Sequence, residues 1–482
     1  MAVVLRGGES LKRIFSIFFA AVLILSLSSC GKKAEETLSK APSSSETDSL
    51  SSEIGSVSAE TPESSEDKKP ESSKPAPPPK EEPKREAMPV IYINTERGKP
   101  VPDDKENIRC TVDLENEGEG YFLEALAASI RVRGNGSLTV AQSFGKFPYK
   151  LKFDKKVNPF GIDTDANRDW ILIPNRGDRT MLRNFAAKRL GEMLSGIPVS
   201  PSFLAVHVYL NGNYEGVYEL TEQIEAAKGR VPVDDSLKGA ENGFLIELDR
   251  YARDPEEGDV TFGVGKNLYS VKSEVQNQEQ LAFITEYITL VEEAVYRGDE
   301  EAFTELVDVN SAVDMYLLQE FSKNIDAGFS SFYMYKNAGG KLYFAPPWDF
   351  DLAFGNDRRL DGGSAEGLYI ATGREGFSQN HLWYIELCKT DWFSGLVRKR
   401  WKEITDREIK AVISEVESMA ERLSIDMELN FKRWPEFDIK LHQEPDHTLT
   451  FITYKEHTDF LTDWMKARKK FLDGIFLVDK DR

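Results

Sequence analysis

The chain has 482 residues, 81 of them Asp or Glu and 61 Lys or Arg, for a formal net charge of -20. That balance excludes a nucleic-acid binder, because phosphate backbones are held by clustered cations and the sequence has no basic stripe. With 40% hydrophobic and 11% aromatic residues, the chain can bury a large core, enough for roughly two to four domains.

Three cysteines, Cys30, Cys110 and Cys388, are too few for a disulfide framework or a structural zinc cluster. The five histidines, His207, His381, His442, His447 and His457, form no H-E-x-x-H pair, which argues against a histidine-bound transition metal. Any metal is therefore expected to be hard and held by carboxylates.

The first thirty residues carry Arg6, Lys12 and Arg13 and then a 14-residue apolar run, 14–27. A membrane-spanning helix needs about 20 residues, so the run reads as a cleaved export signal. The sequence Leu27-Ser28-Ser29-Cys30 resembles a lipobox, which implies a signal peptide over 1–29 and a lipidated Cys30. The expected product is an extracytoplasmic, membrane-anchored bacterial lipoprotein. An ordinary secretory signal cleaved nearby is the alternative.

Residues 31–87 contain 13 Ser, 8 Pro, 13 acidic and 9 basic residues and no Phe, Trp or Tyr. Such a segment cannot offset its ordering entropy by burial, so 30–87 is expected to be a disordered tether.

From 88 to 482 the sequence is globular. Its first part, about 88–225, reads as strands at 90–93, 128–132, 149–153, 170–174, 203–210 and 216–220, with Asn211-Gly212 as a type I′ hairpin turn. One helix interrupts them at 179–194, capped by Asp178. The second part, about 226–482, carries helical spacing at 279–297, 313–324, 393–423 with a break, and 457–476, around one hairpin at 331–345. The expected fold class is α+β, with a strand-rich lobe, a helix-rich lobe and a cleft between them.

Asp349 and Asp351 are two apart in a stretch read as extended, so their carboxylates face one way and repel unless a cation lies between them. Mg²⁺ or Mn²⁺ carrying a phosphate is the natural occupant. Asp326 falls in a loop between a helix and a strand, from which it can accept a hydroxyl proton. Arg133-Gly134-Asn135-Gly136-Ser137 joins a strand to the next segment and permits close approach of a phosphate. Lys150 and Lys152 share one strand face, where either could bind phosphate.

These residues occur in an order that resembles the CotH kinase family, atypical protein kinases named for spore-coat protein H. The matching pieces are R-G-N-G-S at 133–137, F-P-Y-K-L-K-F at 147–153, D-W-I-L-I-P-N at 169–175, L-R-N at 182–184, Y-L-N-G-N-Y-E-G-V-Y at 209–218 and P-W-D-F-D-L-A-F-G-N at 347–356. The resemblance covers about 89–475. It implies an atypical kinase-like two-lobed fold and Mg²⁺- or Mn²⁺-dependent phosphoryl transfer from ATP to a hydroxyl of a cell-surface or envelope protein.

The roles it implies are Asp326 facing the acceptor, Asp349 and Asp351 as metal ligands, and Lys152 or Lys150 with Arg133, Gly134, Asn135, Gly136 and Ser137 on the nucleotide. Glu222 is a further pocket residue. The departures are the missing G-x-G-x-x-G and H-R-D, Ser331 where ordinary kinases place a metal-binding Asn, and only Glu192 as an acidic partner on the 179–194 helix. Two other readings stand beside it. One is a carboxylate-based cell-wall glycosidase with Trp348, Trp383 or Trp392 as sugar platforms, and the other is a non-catalytic surface scaffold.

Residues 88–482 carry -18 of the net charge. A domain that acidic needs local cations, or a metal, to hold an anionic nucleotide. Cys110 and Cys388 could pair outside the cytoplasm if the fold brought them together.

Overall fold

The computed structural model describes residues 87–162, 165–253, 255, 258–372, 383–437 and 439–478. The expected signal peptide, Cys30 and the expected tether up to residue 86 lie outside them. The described residues all belong to one unit, Glu81–Arg482. Among them, no helix is long and apolar enough to cross a membrane.

Seven strands come first: β1 (Val90–Thr95), β2 (Ile108–Asn116), β3 (Tyr121–Val132), β4 (Tyr149–Val157), β5 (Asn167–Ile173), β6 (Leu204–Leu210) and β7 (Asn213–Glu222). Their alternation is the cause of their shape. Ile91 and Ile93, Cys110, Val112 and Leu114, and Leu151 and Phe153 all point into one apolar interior. The strands close into a barrel in the order β1-β2-β3-β4-β5-β7-β6, sealed by parallel pairing of β1 with β6. Asn211 (φ 52) and Gly212 (φ 78) make the turn from β6 to β7 in the left-handed conformation that a type I′ hairpin requires.

Two helices interrupt the strands, α1 (Gly136–Phe144) and α2 (Arg183–Met193). α1 stands where the sequence predicts only a turn, and it is held by burial of Leu138 and Ala141. α2 starts four residues later than predicted. Asp178 accepts hydrogen bonds from the N–H groups of Thr180 (3.0 Å) and Arg183 (2.9 Å) and so fixes a turn ahead of the helix.

A second sheet follows, from β8 (Phe244–Leu248), β9 (Val260–Val264), β10 (Asn267–Val271), β11 (Phe332–Lys336) and β12 (Leu342–Tyr343), in the order β12-β11-β8-β10-β9. Around it lie α3 (Gln278–Arg297), α4 (Glu300–Leu306), α5 (Val309–Ser322), α6 (Tyr384–Leu387), α7 (Asp391–Ile404), α8 (Glu408–Arg433) and α9 (Tyr454–Phe476). Their apolar faces meet in one core that includes Ile246, Ile288, Leu317, Phe321, Trp401 and Leu461.

The fold is therefore α+β, and its strand-rich and helix-rich parts fall where the sequence indicates. The closed barrel, and a five-stranded sheet in place of one hairpin, have no counterpart in the two-lobed expectation. Cys110 lies in the barrel core and Cys388 packs against the other core, and both are free thiols.

α8 ties the barrel to the second core. Asn430 Oδ1 accepts the Val217 N–H at 3.1 Å, and His207 Nε2 lies 3.0 Å from Asp426 Oδ1. Deeper in, Arg468 on α9 and Glu320 on α5, both wholly buried, pair at 2.8 Å. Around that pair the segment 361–371 is fastened. The Glu320 carboxylate accepts the N–H groups of Tyr369 and Ala371, Arg468 donates to the carbonyls of Ala365 and Gly367, and Lys323 Nζ donates to those of Asp361, Ser364 and Glu366.

Candidate active site

Asp326 stands in the loop between α5 and β11, as its sequence position indicates. Its N–H donates to Asn324 Oδ1 at 3.1 Å, and its carbonyl accepts from the Phe329 N–H at 2.8 Å. Asp349 lies in the segment after β12 with φ 69, so the chain there is not extended. The turn is held from two sides. The Phe350 N–H donates to Asn184 Oδ1 on α2 at 2.8 Å, and Ser331 Oγ donates to Asp349 Oδ2 at 2.9 Å. Asn356 Nδ2 fixes Asp351 from behind, donating to its carbonyl at 2.7 Å and to that of Gly177 at 2.9 Å.

The carboxylates converge by way of this turn rather than by strand alternation. Burial, followed by the charges of Asp349, Asp326 and Asp178, raises the Asp351 pKa well above the carboxylate range. Burial and then Asp349 push Asp326 up to about 6, against the opposing pull of Arg359 and Arg250. Ser331 is itself at φ 62, with its N–H on the buried carboxylate of Glu247 at 3.1 Å. The hydroxyl that replaces the metal-binding Asn of ordinary kinases is therefore directed at Asp349.

Among the described residues no three His, Cys, Asp or Glu side chains form a metal cage. The donor chemistry still fits Mg²⁺ or Mn²⁺, since Mg²⁺ is commonly held by one or two carboxylates together with phosphates and water. Asp349 and Asp351, a repelling carboxylate pair, are the residues that fit.

The cation facing this group is Arg133, at the end of β3. Burial lowers its pKa, and Tyr333 and Asp349 are the foremost groups acting against that. Among the described residues nothing forms an ion pair with its guanidinium. Gly134 (φ 84) and Asn135 lead directly into α1, whose first residues are Gly136 and Ser137.

Of the other predicted nucleotide contacts, Lys150 and Glu222 are engaged elsewhere. Lys150 pairs with Asp169 at 2.7 Å, and Lys152 is exposed. Glu222 accepts the Ser202 N–H at 2.8 Å and lies 3.4 Å from Arg230, which stacks on Trp170. These side chains adjoin Glu225, which burial and then Asp169 push up to about 7.

Sequence reasoning missed Lys188. It is buried on α2, bonded to Glu219 and, at 2.8 Å, to Thr221 Oγ1, with its ammonium 4.8 Å from the centre of the Trp348 ring. Glu219 also accepts from Asn175 (2.8 Å), which accepts from Asn184 (3.0 Å), the same side chain that holds Phe350. A continuous polar path thus runs from the barrel to the Asp-Phe-Asp turn. The lysine's acidic partner comes from β7 and not from α2, whose Glu192 pairs outward with Arg189. Lys188 sits one turn beyond Asn184 on a helix with buried positions all round, a placement that only the partner strand explains.

The tryptophans suggested as sugar platforms do not line an open groove. Trp348 and Trp383 are buried, and the indoles of Trp383 and Trp392 are hydrogen-bonded to Glu292 and to the Gly298 carbonyl.

No curated protein matches the chain. The family model described as CotH kinase protein matches residues 130–472, a span that takes in Arg133, Lys188, Asp326, Asp349 and Asp351. The chain belongs to the CotH kinase family.

Proposed function

We propose that the chain is a phosphotransferase of the cell envelope that moves the γ-phosphoryl group of ATP to a Ser, Thr or Tyr hydroxyl of a surface protein, on a kinase-like arrangement of barrel and helical part. Beyond family membership, one observation carries the reading. Burial and the charge of Asp349 raise the pKa of both Asp326 and Asp351, and such perturbation is typical of functional sites.

In this reading Asp326 accepts the acceptor hydroxyl proton, for which a carboxylate tuned to about 6 is well matched near neutral pH. Asp349 and Asp351 hold Mg²⁺ or Mn²⁺, which when bound supplies positive charge to the phosphates. Arg133 meets the phosphate oxygens, with the N–H groups at the start of α1 beside it. Lys188 and Glu219 keep Trp348 and the Asp-Phe-Asp turn in register, and Lys150 or Lys152 reaches phosphate only by moving from its present position. Cys30 carries the lipid that anchors the chain through its tether.

The test is direct. Asp326→Asn and Asp349→Ala should each abolish phosphate transfer while melting like the wild type, and calorimetric titration of the wild type should show ATP binding only with Mg²⁺ or Mn²⁺. Turnover retained in both purified variants would sink the assignment.

A further inference from the structure

The second sheet has two edges, and they are treated differently. The β12 edge is covered by a bridge from Val307 to Leu342. The opposite edge is β9, which among the described residues pairs only with β10. Its sequence, Val-Thr-Phe-Gly-Val, contains no charge and no proline. Edge strands are usually blunted by lysine, proline or a covering element, because their free N–H and C=O groups invite another chain to pair. β9 has neither of the first two devices.

Alongside this edge runs a groove between β9 and α3. One part, about 450 Å³, is bordered by Gly263, Gly265, Thr289, Glu293 and Tyr296. A second hollow, about 630 Å³, continues from there on α3 alone, past Leu281, Thr285, Glu286 and Leu290. Two of these apolar side chains are left in solvent, Leu290 at 44% and Tyr296 at 62% exposure. The lining is acidic. It holds Glu286 and Glu293 beside the buried Glu292, and its one cation, Arg297, lies 3.6 Å from Glu293. α3 has 20 residues, a length of roughly 30 Å that matches about nine residues of extended chain.

We propose that β9 and α3 form a docking groove for an extended, cationic segment of the acceptor protein, which adds as a sixth strand beside β9 and lays its Lys or Arg side chains toward Glu286 and Glu293. Strand addition supplies affinity through backbone hydrogen bonds and selectivity through alternate side chains. Naming the acceptor rests on the phosphotransferase reading above. The geometry favours it, because Gly263 pairs with Leu268, and Leu268 accepts the Asp249 N–H at 2.9 Å. Asp249 precedes Arg250, whose charge acts on Asp326. A segment laid along β9 therefore leads to the end of the sheet that adjoins the proposed acceptor position.

The experiment uses the whole described domain and two fluorescent peptides of nine residues, one alternating Lys and Val, the other Glu and Val, read by anisotropy. The Lys-Val peptide should bind saturably and the Glu-Val peptide should not. Thr261→Pro, which blunts the edge, and Glu293→Lys, which reverses the charge without touching the strand, should each weaken binding by about tenfold, the scale of one lost charged or strand contact. In transfer assays both variants should phosphorylate a short free hydroxyl acceptor as the wild type does and lose only the advantage of an acceptor fused to the Lys-Val segment.

Binding that ignores peptide charge, or that both folded variants retain, overturns the proposal. So does a concentration-dependent dimer that Thr261→Pro abolishes, since β9 then pairs with a second copy. Selective peptide binding without any phosphate transfer leaves the groove standing and removes the phosphotransferase reading.

Discussion

Arg468 and Glu320 meet at 2.8 Å in a wholly buried pair, and every neighbouring polar group they touch is a hydrogen-bond partner of opposite character. Asp326, Asp349 and Asp351 are gathered with the opposite outcome, since the nearest strong influences on Asp351 are other carboxylates. Both regions sit against the same core, so burial alone does not explain the contrast. Where buried charge serves structure it is matched, because an unmatched ion costs several kcal/mol. Where the acids outnumber the cations that act on them, the chain holds a concentration of negative charge that an external cation or proton relieves. The acid cluster thus stores electrostatic energy, and the Arg468–Glu320 pair secures the platform that bears it.

The contrast can be broken at either end. Arg468→Met strands a buried carboxylate and should cost about 3–5 kcal/mol, read as a large drop in the urea midpoint. A loss under about 1 kcal/mol would mean the pair is not the anchor it appears in distance and burial. Asp351→Asn works in the other direction. Removing one of the repelling carboxylates should stabilise the metal-free protein at neutral pH, read as a raised urea midpoint, while activity is lost. A destabilised Asp351→Asn would show that the cluster is not repulsive.

A third effect is on pH dependence. Asp326 is raised from 3.8 to about 6, so between those values the folded protein holds a proton that the unfolded chain releases. That contribution to stability is present at low pH and fades as pH rises from about 4 through 6. Metal-free wild type should therefore gain on Asp326→Asn in melting temperature as pH falls from 7 towards 4, and added Mn²⁺ should flatten the difference. A difference independent of pH would mean that Asp326 is not perturbed.

Much of this was legible in sequence, and the reason is local. Asn211-Gly212 permits few turns, so the hairpin was readable from two residues. The helices at 278–297, 391–433 and 454–476 carry their apolar spacing within themselves. Asp326, Asp349 and Asp351 stood out as acids in apolar company, and they do come together. Their route was not legible, because the left-handed turn at Asp349 depends on Asn184, which lies 166 residues before Phe350.

Lys188 and Glu219 pose the same difficulty, since nothing on a helix marks the strand that will supply its partner. β8, β9 and β10 are five residues each, short enough that an apolar run reads equally as loop or buried helix. β2 is a different case. Its Ile108, Cys110, Val112 and Leu114 alternate cleanly, a pattern that the strands expected from sequence left out. The barrel's closure was not legible, because parallel pairing of β1 with β6 joins residues more than a hundred positions apart.

One further consequence follows from the way Lys323, Glu320 and Arg468 hold the segment 361–371, which comes soon after the Asp-Phe-Asp turn. Many switchable enzymes leave the corresponding stretch loose and order it with a phosphate group that recruits arginines. Here the carbonyls and N–H groups such a group would have to organise are already bonded to buried side chains. The entropy of ordering is spent during folding, so a signal acting on this segment would first have to break bonds to buried side chains.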